Sequence, residues 1–262
     1  MTLFGSRRCT AIVLAASVVS AASCDNSPRY DVEVAEPAPP VTRTLAVGTH
    51  RVTLTLPAKW RHIDQGATHR FRRSIGSISV SDLGPVTPRG LFDTITRARS
   101  AFLDGHLEDA QAILATFDLR RTLDDEESWR EYKNRWNTLR RAGPRNVIDA
   151  HDVDAAYADL LSGIFHLPVP TAAEVFDDAL ELIRHDDELR EVLSAQVRTV
   201  DGREARLVET WNRRSHAHRQ AHMFVLDKGY LLVAQMEIGK FEALEPEFAM
   251  LIDSLKLGSR WR

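Results

Sequence analysis

Residues 221–237, AHMFVLDKGYLLVAQME, decide the fold. Two apolar runs flank Asp227-Lys228-Gly229, and Gly229 can take the positive φ that a tight turn between two strands requires. The stretch predicts a β-hairpin. Working outward, "REARLVETW" (203–211) alternates Leu207, Glu209 and Trp211 with Arg206, Val208 and Thr210. That is the period-2 pattern of a half-buried strand. Downstream, "EPEFAMLIDSLKL" (245–257) changes period: Phe248, Leu251, Ile252 and Leu255 recur at helical spacing, with Pro246 in the first turn.

The pattern returns near the start of the chain. In "HRVTLTLPAKW" (50–60), Val52, Leu54 and Leu56 alternate with threonines until Pro57 stops the strand. "HRFRRSIGSISVSDLG" (69–84) alternates through Phe71, Arg73 and Ile75, then Ile78 and Val80, with a turn or bulge at Gly76. Between these zones, residues 88–195 read as about five helices. Leu91, Ile95 and Phe102 form one stripe; Val175, Ala179, Leu182 and Ile183 form another, in a helix running from Thr171 to Leu193. "DDEESWREYKNRWNTLRRAGP" (124–144) puts acids in its first turn and Arg140 and Arg141 in its last, as a helix dipole favours. The fold class expected is α+β: a twisted antiparallel β-sheet flanked by helices, interrupted by an all-helical insertion.

Three pieces resemble the PsbP/Mog-like superfamily, including the DcrB-like bacterial lipoproteins. They are the strand ending in "LTLPAKW" (54–60), "DGREARLVETW" (201–211), and "GYLLVAQM" (229–236) followed by "FAMLIDSLKL" (248–257). The resemblance covers about residues 45–104 and 190–257. It implies an α/β/α sandwich and a non-catalytic accessory or binding role, and it supplies no catalytic residues to carry over. The division expected is residues 44–104 as the first part of the core, 105–190 as the helical insertion and 191–262 as the second part.

Residues 1–23 carry Arg7 and Arg8, a short apolar run from Ala11 to Val19, then Ser20-Ala21-Ala22-Ser23 before Cys24. The run is well short of the ~20 residues needed to span a bilayer. It reads as a removable export signal. Ala21-Ala22-Ser23-Cys24 resembles a bacterial lipobox, with Ala21 where Leu is usual, and implies acylation of Cys24, with palmitate among the expected chains. The other cysteine, Cys9, lies in the segment to be removed. A lone thiol in an oxidising compartment is a liability unless it is chemically occupied. Two or more acyl chains, at ~0.8 kcal/mol per buried CH₂, make a lasting anchor. Residues 24–43, with Pro28, Pro37, Pro39 and Pro40, read as a proline-rich tether. The expected address is the bacterial envelope; Asp25 after the cysteine favours the periplasmic face of the inner membrane.

Without residues 1–23, basic residues fall from 34 to 32 against 37 acids, a net charge of −5. Such a chain carries no footprint for nucleic acid. No phosphate loop, dinucleotide fingerprint, Gly-x-Ser-x-Gly elbow or His-Glu-x-x-His occurs, and no cofactor is implied. Three candidate sites remain. On a regular strand, His216 and His218 would share a face ~7 Å apart, with His222 too far along to join them. They are the candidate ligands of the alternative reading, a metal-binding protein or metal-dependent hydrolase, which needs a third ligand such as His62, His69 or an acid. A solvated strand face is the plainer account. Asp149, Asp152 and Asp154 lack the Gly and bidentate Glu of a calcium loop, and Asp152 reads as a helix N-cap. Trp129, Tyr132 and Trp136 form an aromatic stripe: helix packing, or a ridge that binds an envelope protein.

Overall fold

The computed structural model describes residues 39–74, 76–117, 119–123, 126–142, 148–186, 190–212, 215–238 and 241–259. In chain order the elements are β1 (Pro40–Val47), β2 (His50–Pro57), β3 (Arg61–Asp64), β4 (Thr68–Arg73) and β5 (Gly76–Pro85). Helices follow: α1 (Pro88–Leu103), α2 (Leu107–Leu114), α3 (Leu119–Thr122), α4 (Glu126–Arg141), α5 (Ala150–Phe165) and α6 (Ala172–Asp186). The chain then forms β6 (Arg190–Val200), β7 (Arg203–Asn212), β8 (Ser215–Asp227), β9 (Tyr230–Ile238), α7 (Phe241–Ser254) and β10 (Lys256–Ser259). The fold is α+β, with two antiparallel sheets: β1-β2-β10 and β3-β4-β5-β9-β8-β7-β6.

The alternation read from the sequence sorts the side chains onto the two faces of the large sheet. Phe71, Ile78, Met223, Leu232 and Met236 point to one side and pack against Val52, Leu54 and Leu56 of the small sheet and Leu244, Phe248 and Leu251 of α7. Val208, Phe224, Leu231 and Val233 point to the other and meet Val175, Phe176 and Ala179 of α6. A third interior lies among the helices, from Leu91 and Ile95 of α1 through Trp136 of α4 to Tyr157 and Leu160 of α5. The "LPAKW" segment locks α7 in place. Trp60 Nε1 donates to Glu247 Oε2 at 2.5 Å, and Arg73 donates to both Glu247 oxygens while lying 5.3 Å from the Trp60 ring centre.

The 221–237 hairpin forms as predicted. Lys228 and Gly229 both have positive φ, and Gly229 lies so close to Gly90 that neither position has room for a Cβ. Several boundaries differ from expectation. The expected tether overlaps β1, which begins at Pro40 because it pairs with β2 along its length, from Pro40↔Pro57 to Val47↔His50. The helix expected to run to Leu193 ends at Asp186, and residues 190–193 belong to β6, where pairing with β7 overrides local helical periodicity. Pro246 lies inside α7 rather than in its first turn. Residues 256–259 leave the helix to pair with β2, and Leu257 sits opposite Val52. The insertion boundaries also shift: α1, expected in the core, packs in the helical interior, while α6, expected in the insertion, covers the sheet. Asp149, not Asp152, caps α5, accepting from the His151 N–H at 2.9 Å.

Candidate functional site

The aromatic stripe on α4 is interior. Trp136 is 2% exposed and Tyr132 7%, and Trp129 packs half-buried against the same cluster. Trp136 stacks obliquely on Phe117 with ring centres 5.0 Å apart. Tyr132 lies where a Cβ on Gly163 would fall. The stripe is therefore helix packing and not an exposed ridge. Exposed apolar side chains occur elsewhere in the helical region: Phe165 at the end of α5 is 73% exposed and Val169 in the α5–α6 connection 70%, with Phe92 of α1 6.1 Å from the Phe165 ring.

Cys24 lies outside the described residues, as do the side chains of His216 and His218. The backbone places both histidines where the β7–β8 register shifts, between Trp211↔Arg219 and Asn212↔Ser215, so the regular strand assumed for the pair is interrupted there. Their suggested third ligands are distant. β4 and β3 lie three and four strands from β8, roughly 14 and 19 Å across the sheet. His62 and His69 instead pair with each other, Nε2 to Nδ1 at 2.9 Å, while the other His69 nitrogen faces the Ala46 carbonyl at 2.9 Å. Burial, the nearby His69 and Arg43 hold His62 below its ordinary pKa. Among the described residues no group of three His, Cys, Asp or Glu side chains could hold a metal ion.

The most concentrated polar chemistry lies where the two sheets meet α1. His50 opens β2. Its Nδ1 lies 3.2 Å from Asp82 Oδ2 on β5, and its Nε2 lies 3.3 Å from Asp227 Oδ2 at the end of β8. Each ring nitrogen faces a carboxylate, with Thr49 Oγ1 also 3.0 Å from Nδ1, and this setting favours the doubly protonated ring. Burial pulls its pKa down, but the hydrogen bonds to Asp227 and Asp82 outweigh burial and raise it. Both aspartates respond in the opposite sense. Burial pushes them up, yet His50, with the Thr49 and Gly84 N–H groups for Asp82 and Arg203 for Asp227, holds them below the ordinary 3.8.

The cluster reaches into four further elements. Arg203 donates from Nε to Asp227 at 2.9 Å, from Nη1 to Asp201, and from Nη2 to the Leu257 carbonyl at 2.9 Å. Asp201 in turn accepts from the Leu257 N–H at 2.8 Å, so the turn before β7 clasps β10 on both sides. Tyr230 stands edge-on to His50 with ring centres 5.7 Å apart, and its hydroxyl bonds Thr94 Oγ1 at 2.6 Å and Asp93 Oδ2 at 2.9 Å on α1. Burial pushes the Tyr230 pKa up to about 12. Gly48, at φ 53°, leaves the space that Asp82 occupies. The side chains of His50 and Asp82 are 5% and 3% exposed. This arrangement can hold a proton and fix three layers together, with His50 and Asp82 sealed inside and Arg203 and Asp201 at its half-exposed rim.

Sequence reasoning missed this junction because its members are scattered along the chain from His50 to Leu257. The one local hint is Asp227 beside a positive-φ turn. No family model matches the chain, and no curated protein matches it. The chain is similar to the solution structure of cyanobacterial PsbP (CyanoP) from Synechocystis sp. PCC 6803, at 10% identity and a TM-score of 0.42, over 84% of this chain and 94% of that one.

Proposed function

We propose that this chain is a lipid-anchored, non-catalytic accessory protein of the bacterial cell envelope, which engages a protein partner through its helices. The observation that carries the reading is Cys24, set behind an export-type segment and ahead of a proline-rich stretch. The partner surface consists of Phe92, Phe165 and Val169, in place of the buried α4 stripe.

Intact-mass analysis of the envelope product tests the anchor. The expected species begins at a diacylglyceryl Cys24; a free thiol there, or a chain starting at Met1, overturns it. A photo-crosslinker at Phe165 in the intact envelope tests the surface. A defined partner adduct is expected, reduced at least fivefold by Phe92→Ser, and equal yields with and without that change overturn the assignment.

A further inference from the structure

β6 forms one border of the seven-stranded sheet, and among the described residues no strand pairs with its outer edge. It runs for 11 residues, about twice the usual strand length, so it offers a long row of backbone donors and acceptors. Val197 is 85% exposed and Leu193 45%. Such an edge ordinarily carries guards against pairing. Here the charged side chains on the strand are arranged so that a second copy matches them.

The pairing of β6 with β7 fixes which side each residue faces. Val192, Ala195, Val197 and Thr199 pair with Thr210, Val208, Arg206 and Glu204 and share the α6 side. Glu191, Ser194, Gln196 and Arg198 share the other, and Leu193 is bulged between Val192 and Ser194. Directly opposed residues of an antiparallel pair must point to the same side. When two β6 strands meet about a two-fold axis normal to the sheet, registers centred on Ala195 and on Gln196 keep this rule with equal overlap, and the charges favour Ala195. That register sets Ser194 against Gln196, Val192 against Val197, and Glu191 against Arg198, each pair occurring twice. Moving the centre to Ser194 or Gln196 sets Glu191 opposite Gln196 or Val200 and loses both ion pairs.

We propose that β6 is a self-association edge, and that two copies pair antiparallel through it with Ala195 on the two-fold axis. The occupant is a second copy of this chain because the edge is complementary to itself in side, apolar match and charge. This proposal stands independently of the anchor and of the helical surface.

Light scattering of the full purified chain at tens of micromolar should give twice the mass of one chain. A single-chain mass up to about 100 μM overturns the proposal and leaves the edge to a strand of another protein. Opposed Cα atoms in an antiparallel pair lie ~4.5–5.5 Å apart, within disulfide range. Ala195→Cys should therefore give a covalent dimer on mild oxidation, beyond any that Cys9 and Cys24 form in the parent. Equal yield from Leu103→Cys, on exposed α1, overturns the assigned geometry. Ala195→Lys sets two ammonium groups against each other and should weaken association at least tenfold with an unchanged circular dichroism spectrum. Unchanged association in Ala195→Lys also overturns it.

Discussion

Where the two sheets meet, a buried histidine and two buried aspartates are bonded to one another and to a half-buried arginine. In α1–α5, among the described residues, the interior is instead leucine, isoleucine, alanine and aromatic rings, and its ion pairs, such as Arg99–Asp154 and Arg135–Asp159, lie at the surface. The difference follows from what each region must specify. Helices packing by shape tolerate small shifts, whereas two sheets and a helix joined at strand ends need directional bonds to fix their mutual register. The same directionality makes the junction sensitive to pH, and the helical interior indifferent to it.

The largest effect is expected in the helices. Trp136→Ala removes a buried ring and should cost about 3–5 kcal/mol in urea unfolding. A loss under about 1 kcal/mol would show that the α4 stripe is not the centre of that interior. At the junction, His50→Gln should cost about 3 kcal/mol, because it leaves Asp82 and Asp227 buried with less compensation.

His50 also sets a pH signature. A group whose folded pKa is raised contributes stability that is fully present below its unfolded value, about 6.5, and lost as pH rises through the folded value. The two aspartates, held low, contribute stability present above about pH 3.8 and lost as pH falls through their folded values. Thermal melts should therefore be highest between about pH 4 and 6.5, and His50→Gln should abolish the alkaline decline. A parallel decline in both proteins would place its origin elsewhere.

Smaller effects sharpen the contrast. Gly163→Ala drives a Cβ into the Tyr132 ring and should cost about 1–3 kcal/mol. Phe165→Ser, on the exposed face of the same helix, should change stability by less than about 0.5 kcal/mol in the same assay. A larger loss would mean that Phe165 is packed rather than presented.

The local pattern sufficed where the whole signal lies within one short segment. The 221–237 hairpin, β2, β7 and the stripe of α7 all carry their pattern within a few residues. It failed where a segment's partner lies far along the chain. Residues 190–193 continue a helical run in sequence, yet β7 draws them into a strand. Residues 256–259 likewise leave a helical stripe because β2 has a free edge beside them. Trp129, Tyr132 and Trp136 were legible as a stripe, but no local pattern says whether a stripe faces a neighbour or solvent.

The sequence by itself determined the α+β class, the order of strand and helix zones and the tight turn at Lys228-Gly229, because side-chain period and backbone φ are local properties. Only the tertiary structure decided that His50 sits between two carboxylates, that the α4 aromatics are interior and that β6 borders the sheet. Each of those depends on groups brought together from distant parts of the chain, and the free energy of such contacts belongs to the pair rather than to either residue.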